Sequence, residues 1–127
     1  MKIRYAVTVS VLSGMAIGIA GVQALHAQAK PPVYMIALNE VTDPDGYRHE
    51  YLPPAQASIK QYGGVYVAAG PGTAVEGELP KGRIVVLRWD SLEALQRWRT
   101  SPEYTAAHKI GLGYAKYNIV AVNGVTQ

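Results

Sequence analysis

Between Arg83 and Gly113 the sequence gathers its most reactive side chains, RIVVLRWDSLEALQRWRTSPEYTAAHKIGLG, with Trp98, Tyr104 and His108 grouped along one predicted helical region. An imidazole there offers a base or a metal ligand, a phenol offers a hydrogen-bond donor, and an indole offers a broad apolar wall. Ser101 and His108 do not make a nucleophile and its base, because two helical turns put them about 10.5 Å apart. Only His49 and His108 lie beyond residue 29, and no His, Asp and Glu set has the spacing of metal ligands, so no metal is expected. The chain has no cysteine, which excludes a thiol nucleophile and a disulfide framework. Gly63-Gly64 and Gly70-Pro71-Gly72 surround a strand with no helix following, which excludes nucleotide-binding glycine loops.

Each of these residues also has a plain structural use. Trp98 suits a core, where its ring buries a large apolar area. Ser101-Pro102 is a helix start, serine capping and proline entering as the first helical residue. Asp43-Pro44 is another. Arg83 opens a strand and is either an anion anchor at a pocket mouth or the partner of Glu76 or Glu78. His49 and Tyr51 lie two apart on a helix and cannot share one narrow face.

The elements that must position these groups follow from pattern. Val33–Leu38 is a six-residue apolar run that reads as a strand. Asp43-Pro44 opens a helix that Gly46 weakens, that Pro53-Pro54 must interrupt or kink, and that Gly63-Gly64 ends. Val65–Ala69 and Arg83–Trp89 are strands joined by a short link, hence antiparallel. Asp90-Ser91 starts a helix over Leu92–Arg99, with Glu93 placed to form a capping box with Asp90. Pro102–Ile110 is a second helix of that pair, stopped by Gly111 and Gly113, and Ala115–Val122 is the fourth strand. The order is β-α-β-β-α-β, an α+β, ferredoxin-like arrangement with a four-stranded antiparallel sheet.

Composition sets the class and the compartment. The chain is 127 residues, 49% apolar and 17% charged, globular in balance and sized for one domain. Lys2 and Arg4 precede a nearly uncharged run, Tyr5–Leu25, that ends in His26-Ala27-Gln28-Ala29, the pattern of a secretory signal peptide cleaved after Ala29. An uncleaved anchor is the competing reading, since the run approaches the roughly 20 residues that span a bilayer. Gly14, Gly18 and Gly21 favour cleavage. The expectation is thus a signal peptide at 1–29 and a domain at 30–127, exported to a periplasm or secreted, with no stable membrane association afterwards. Residues 30–127 hold ten Lys and Arg against nine Asp and Glu, a balance that speaks against a nucleic-acid partner.

Two helices cover only one face of a four-stranded sheet, yet VYMIAL, IVVL and IVAV run continuously apolar where a half-solvated sheet would alternate. A second copy packed sheet to sheet, a homodimer, is the simplest cover.

Val41-Thr42-Asp43-Pro44, Tyr51, Tyr62-Gly63-Gly64, Glu76-Gly77, Arg83, and Trp98 followed by Ser101-Pro102-Glu103-Tyr104 together resemble the ferredoxin-like family catalogued as domain of unknown function family 1330. The resemblance implies a dimeric α/β barrel and implies no activity; it also makes Tyr51 a pocket candidate. Trp98-Arg99-Thr100-Ser101-Pro102, with Ala106-Ala107-His108 after it, is similar to the second-helix region of antibiotic-biosynthesis-type monooxygenases, in particular their haem-degrading branch. That similarity implies matching places for Asn39, Trp98 and His108, with His108 as a haem ligand, Asn39 hydrogen-bonding near the distal ligand and Trp98 shaping the pocket. The candidate site is therefore Asn39, Tyr51, Arg83, Trp98, Tyr104 and His108. The leading expectation is a small organic ligand in a pocket between sheet and helices, with no cofactor; the alternative is a haem-binding or cofactor-free monooxygenase using the same pocket.

Overall fold

A computed structural model describes residues 31–126; the expected signal peptide, 1–29, lies outside the described residues. Four strands, β1 (Val33–Val41), β2 (Val65–Gly70), β3 (Arg83–Trp89) and β4 (Ala115–Asn123), form one sheet in the order β2-β3-β1-β4, every neighbour antiparallel. Between β1 and β2 run α1 (Pro44–Gly46), a π-helical segment (Tyr47–Tyr51) and α2 (Leu52–Gln61); between β3 and β4 run α3 (Leu92–Arg99) and α4 (Pro102–Gly111). This is the ferredoxin-like β-α-β-β-α-β arrangement.

The helical connection after β1 does not break at Pro53-Pro54. Neither proline has an N–H to give to the carbonyl four residues back, and the chain responds by widening the preceding turn, so that the Leu52 amide donates to the Tyr47 carbonyl five residues away. The prolines then occupy the first turn of α2, where missing donors cost little. Gly63 closes α2 at a φ of 91°, with the Gly64 amide donating to the Ile59 carbonyl at 2.9 Å.

Two details differ from expectation. Ser91, not Asp90, is the N-cap of α3: its hydroxyl accepts from the Ala94 amide at 3.1 Å, which puts Ala94 in the third position and leaves Glu93 out of any capping box. β1 also extends three residues past its apolar run, because Asn39, Glu40 and Val41 keep pairing with β4.

Along β1 and β3 burial alternates. Val33, Met35, Ala37 and Asn39 of β1 and Val85, Leu87 and Trp89 of β3 are buried beneath the helices. Their neighbours Tyr34, Ile36, Leu38, Ile84 and Val86 point the other way and are only half-buried, flanked by the exposed Val65, Val67, Val120 and Val122. One face of the sheet is thus core and the other is a broad apolar surface.

Candidate functional site

The site is built at one end of the helix-covered face. Asn39 on β1 stands directly opposite Arg83 on β3 and directly opposite Tyr117 on β4, so the three form one row across adjacent strands. Gly82 permits that row: at φ 101° it lies against the Asn39 carbonyl, where a Cβ would come within 2.9 Å of backbone. In the next row Ala37 sits between Val85 and Ile119, and its small side chain leaves space above the sheet.

Over that space the π-helical segment brings Tyr47 and Tyr51, four residues apart, onto one face, their rings stacked with centroids 5.1 Å apart. From the other side α3 and α4 bring Trp98 and Tyr104. Ser101 fixes these two together: its hydroxyl donates to the Trp98 carbonyl at 2.7 Å and accepts from the Tyr104 amide at 3.1 Å. The rings stand 4.0 Å apart, and the Trp98 indole N–H reaches across to the Ser58 hydroxyl on α2 at 3.0 Å. The result is a cavity of about 40 Å³ whose lining includes Asn39, Tyr47, Tyr51, Arg83, Tyr104 and Tyr117.

The polar groups around it are partly satisfied. Tyr51 and Tyr104 hydroxyls share a hydrogen bond of 2.9 Å. The Asn39 amide donates to the Tyr47 hydroxyl at 3.0 Å. The Asn39 carbonyl oxygen and the Tyr117 hydroxyl are buried and have no partner. The Tyr117 hydroxyl and the Tyr51 ring lie against Gly111 of α4, where a Cβ would collide with both.

Five of the six residues singled out in the sequence, Asn39, Tyr51, Arg83, Trp98 and Tyr104, line this cavity. His108 does not. It is one helical turn beyond Tyr104, stacked on that ring with centroids 5.6 Å apart and tilted against Tyr117 at the same distance. There it faces a second cavity of about 510 Å³, between α3, α4 and β4, together with Arg99. Tyr47 and Tyr117 were missed. A compositional signal pointed to them: nine tyrosines and no phenylalanine, a chain that keeps a hydroxyl where a core would take Phe.

The family model described as domain of unknown function (DUF1330) matches residues 32–125. The chain belongs to that family. No curated protein matches the sequence. Among solved structures, the RPA0582 protein of unknown function from Rhodopseudomonas palustris superposes with a TM-score of 0.60 at 16% identity, covering 84% of this chain and 94% of that one. SnoaB, a cofactor-independent oxygenase from Streptomyces nogalater, superposes with a TM-score of 0.55 at 12% identity, covering 76% and 96%. A candidate antibiotic biosynthesis monooxygenase from Caulobacter crescentus CB15 gives 0.55 at 17%, covering 76% and 92%. These likenesses are of fold.

The two residues expected at a haem, Asn39 and His108, line different cavities in the DUF1330 chain. Asn39 is tied to Tyr47 over the smaller cavity, and His108 faces the larger one, so the two do not converge on one ligand. Partial burial, then the charge of Arg99, push the His108 imidazole below its ordinary value. Among the described residues no group of three or more His, Cys, Asp or Glu could hold a metal ion.

Tyr51, Tyr104 and Tyr117 are suited to donate rather than to act as bases. Burial first, then the neighbouring Tyr104, push Tyr51 far above the ordinary tyrosine value of 10.0. Burial likewise raises Tyr104 and Tyr117. The unfolded chain loses these protons above about pH 10, while the folded chain keeps them. The stability they contribute is therefore fully present below about pH 10 and lost as pH rises further. Urea unfolding free energy should stay level from about pH 7 to 9 and fall steeply above about 10, with the ring signals of Tyr51, Tyr104 and Tyr117 turning to those of tyrosinate in the same transition. Tyrosinate forming at Tyr51, Tyr104 or Tyr117 near pH 10 in a still-folded protein would contradict this packing.

Proposed function

We propose that this DUF1330 domain binds a small polar organic molecule in the tyrosine-lined cavity. One observation carries the reading: the Asn39 carbonyl oxygen and the Tyr117 hydroxyl are buried at the cavity wall without partners. A buried polar group left unpaired costs about 1–3 kcal/mol, a cost that a ligand with matching groups removes. The lining contains no carboxylate and no imidazole, which favours binding over acid–base catalysis.

The ring signals of Tyr51, Tyr104 and Tyr117 in isotope-labelled protein report on occupancy. A panel of small polar organic compounds should include members that shift these signals saturably, and Ala37→Leu, which fills the cavity floor, should abolish the shifts. Saturable binding that survives Ala37→Leu would place the ligand elsewhere.

The second reading is a cofactor-independent oxygenase, favoured by the fold of SnoaB. Donor phenols around a buried cavity suit an oxyanion developing on a bound substrate. Oxygen uptake with a bound panel compound, without added metal or flavin and lost in Tyr51→Phe, separates this reading from simple binding.

Two further parts of the reading concern where the protein acts and in what form. Export rests on the N-terminal pattern, and a mature protein beginning at Lys30 by N-terminal sequencing is the expected result. Homodimerisation through the open sheet face rests on its apolar character.

A further inference from the structure

The unpartnered atoms at the cavity wall differ in kind, and the difference specifies a ligand. The Asn39 carbonyl oxygen only accepts, so its missing partner must be a donor. The Tyr117 hydroxyl, which burial keeps protonated, can donate to an acceptor as well as accept. Arg83, the third member of the row, adds a fixed positive charge and up to five donors in a planar fork. It is exposed at the cavity mouth while Asn39 is 95% buried, its relative exposure being 5%. Neighbouring strands lie about 4.8 Å apart, so the three side chains spring from points spanning about 10 Å and can converge on one small group.

Resting on the binding function proposed above, we propose that the row Tyr117, Asn39 and Arg83 recognises a 2-hydroxycarboxylate: the hydroxyl donates to the Asn39 carbonyl, and the carboxylate accepts from Tyr117 and from Arg83. The size agrees. A cavity of about 40 Å³ takes about three water-sized groups, the number of oxygens in such a head group. Ala37, beneath, leaves room for the carbon that joins them. Any longer substituent leaves past Arg83, on the open side of the row.

A simple carboxylate satisfies only part of this row, because nothing in it donates to Asn39. A neutral alcohol satisfies the complement and forgoes the arginine. The hydroxyl and the negative charge are therefore read by different residues, and substitution should separate them.

Glycolate and acetate, identical but for the hydroxyl, are the probes, titrated into the full chain at neutral pH and read from the tyrosine ring signals. Glycolate should bind about tenfold more tightly than acetate, the worth of one buried hydrogen bond. Asn39→Ala should bring the two acids to within about twofold of each other, and Arg83→Gln should weaken both by about tenfold or more while keeping their ratio. Near-ultraviolet circular dichroism checks that Asn39→Ala keeps its aromatic packing. If it does not, Arg83→Gln, at an exposed strand end, decides: equal weakening of both acids supports the proposal and unchanged affinity overturns it. Equal binding of the two acids to the unsubstituted protein, or a preference that survives Asn39→Ala, overturns it as well. Ethanol and phenol serve as neutral probes: saturable shifts with these and none with glycolate would leave the pocket reading standing and sink the hydroxy-acid assignment. No shift with any probe would sink both.

Discussion

Replacing Trp98 by alanine is expected to lower the melting temperature by about 15–30 °C, the consequence of losing about 3–5 kcal/mol from a domain of this size. Trp98 is 1% exposed and stands between Trp89 and Tyr104, with ring centroids 5.1 and 4.0 Å away. Its removal leaves a cavity among three helices and the sheet, and the surrounding rings are too rigid to collapse into it. It also strands the Ser58 hydroxyl, which loses a donor but keeps its own bond to the Ala55 carbonyl at 2.8 Å. Trp98→Phe tests the division between packing and hydrogen bonding. It retains an aromatic ring against Trp89 and Tyr104, so it should lose less than half as much. A thermal melt in which Trp98→Ala is within about 5 °C of the parent would mean that the indole is not the keystone of the helix layer.

The same residue shows what could be read without coordinates. Trp98, Ser101 and Pro102 form a local unit, and its capping geometry follows from residue type and spacing alone. The observed bonds from Ser101 to Trp98 and Tyr104 are those that a serine at an N-cap can make. β3 was likewise legible, because Arg83–Trp89 is bounded by Gly82 and Asp90, which end a strand in either direction. β1 was legible only as far as its apolar run. Asn39 and Glu40 continue the ladder through backbone bonds that do not depend on side-chain polarity.

The pocket was harder, for a reason of register. Nothing local states which residue of β4 lies beside Asn39, and a slip of one residue would turn Tyr117 to the opposite face. Only the pairing of Asn39 with Arg83 and Tyr117 makes the polar row. His108 illustrates the opposite error. It shares a helix face with Tyr104, as the spacing of four implies, but one turn is about 6 Å of rise, enough to move it past the wall formed by Tyr117 into the neighbouring cavity. A face is legible from periodicity, whereas the depth along that face depends on what the sheet places underneath.

The open side of the sheet gives the other large effect: Ile36→Asp should convert a dimer into a monomer. Ile36 is paired with Val86 on one side and Val120 on the other, at the middle of the apolar face. Tyr34 and Leu38 flank it along β1 on the same face, and all three are only half-buried in the single chain. A sheet meant to face water would place polar side chains there. In a sheet-to-sheet homodimer the substitution buries an unpaired carboxylate once per subunit, so a two-fold interface meets the penalty twice. At about 2 kcal/mol or more per copy, dissociation should strengthen by about a thousandfold. In the single chain the same aspartate points to solvent, so the fold itself should survive, and circular dichroism should show it. Sedimentation equilibrium of the unsubstituted protein at micromolar concentration should give twice the chain mass, Ile36→Val should keep it, and Ile36→Asp should give the chain mass. An unsubstituted protein that sediments as a monomer would overturn the reading that a second copy covers the surface of Tyr34, Ile36, Leu38, Val86 and Val120.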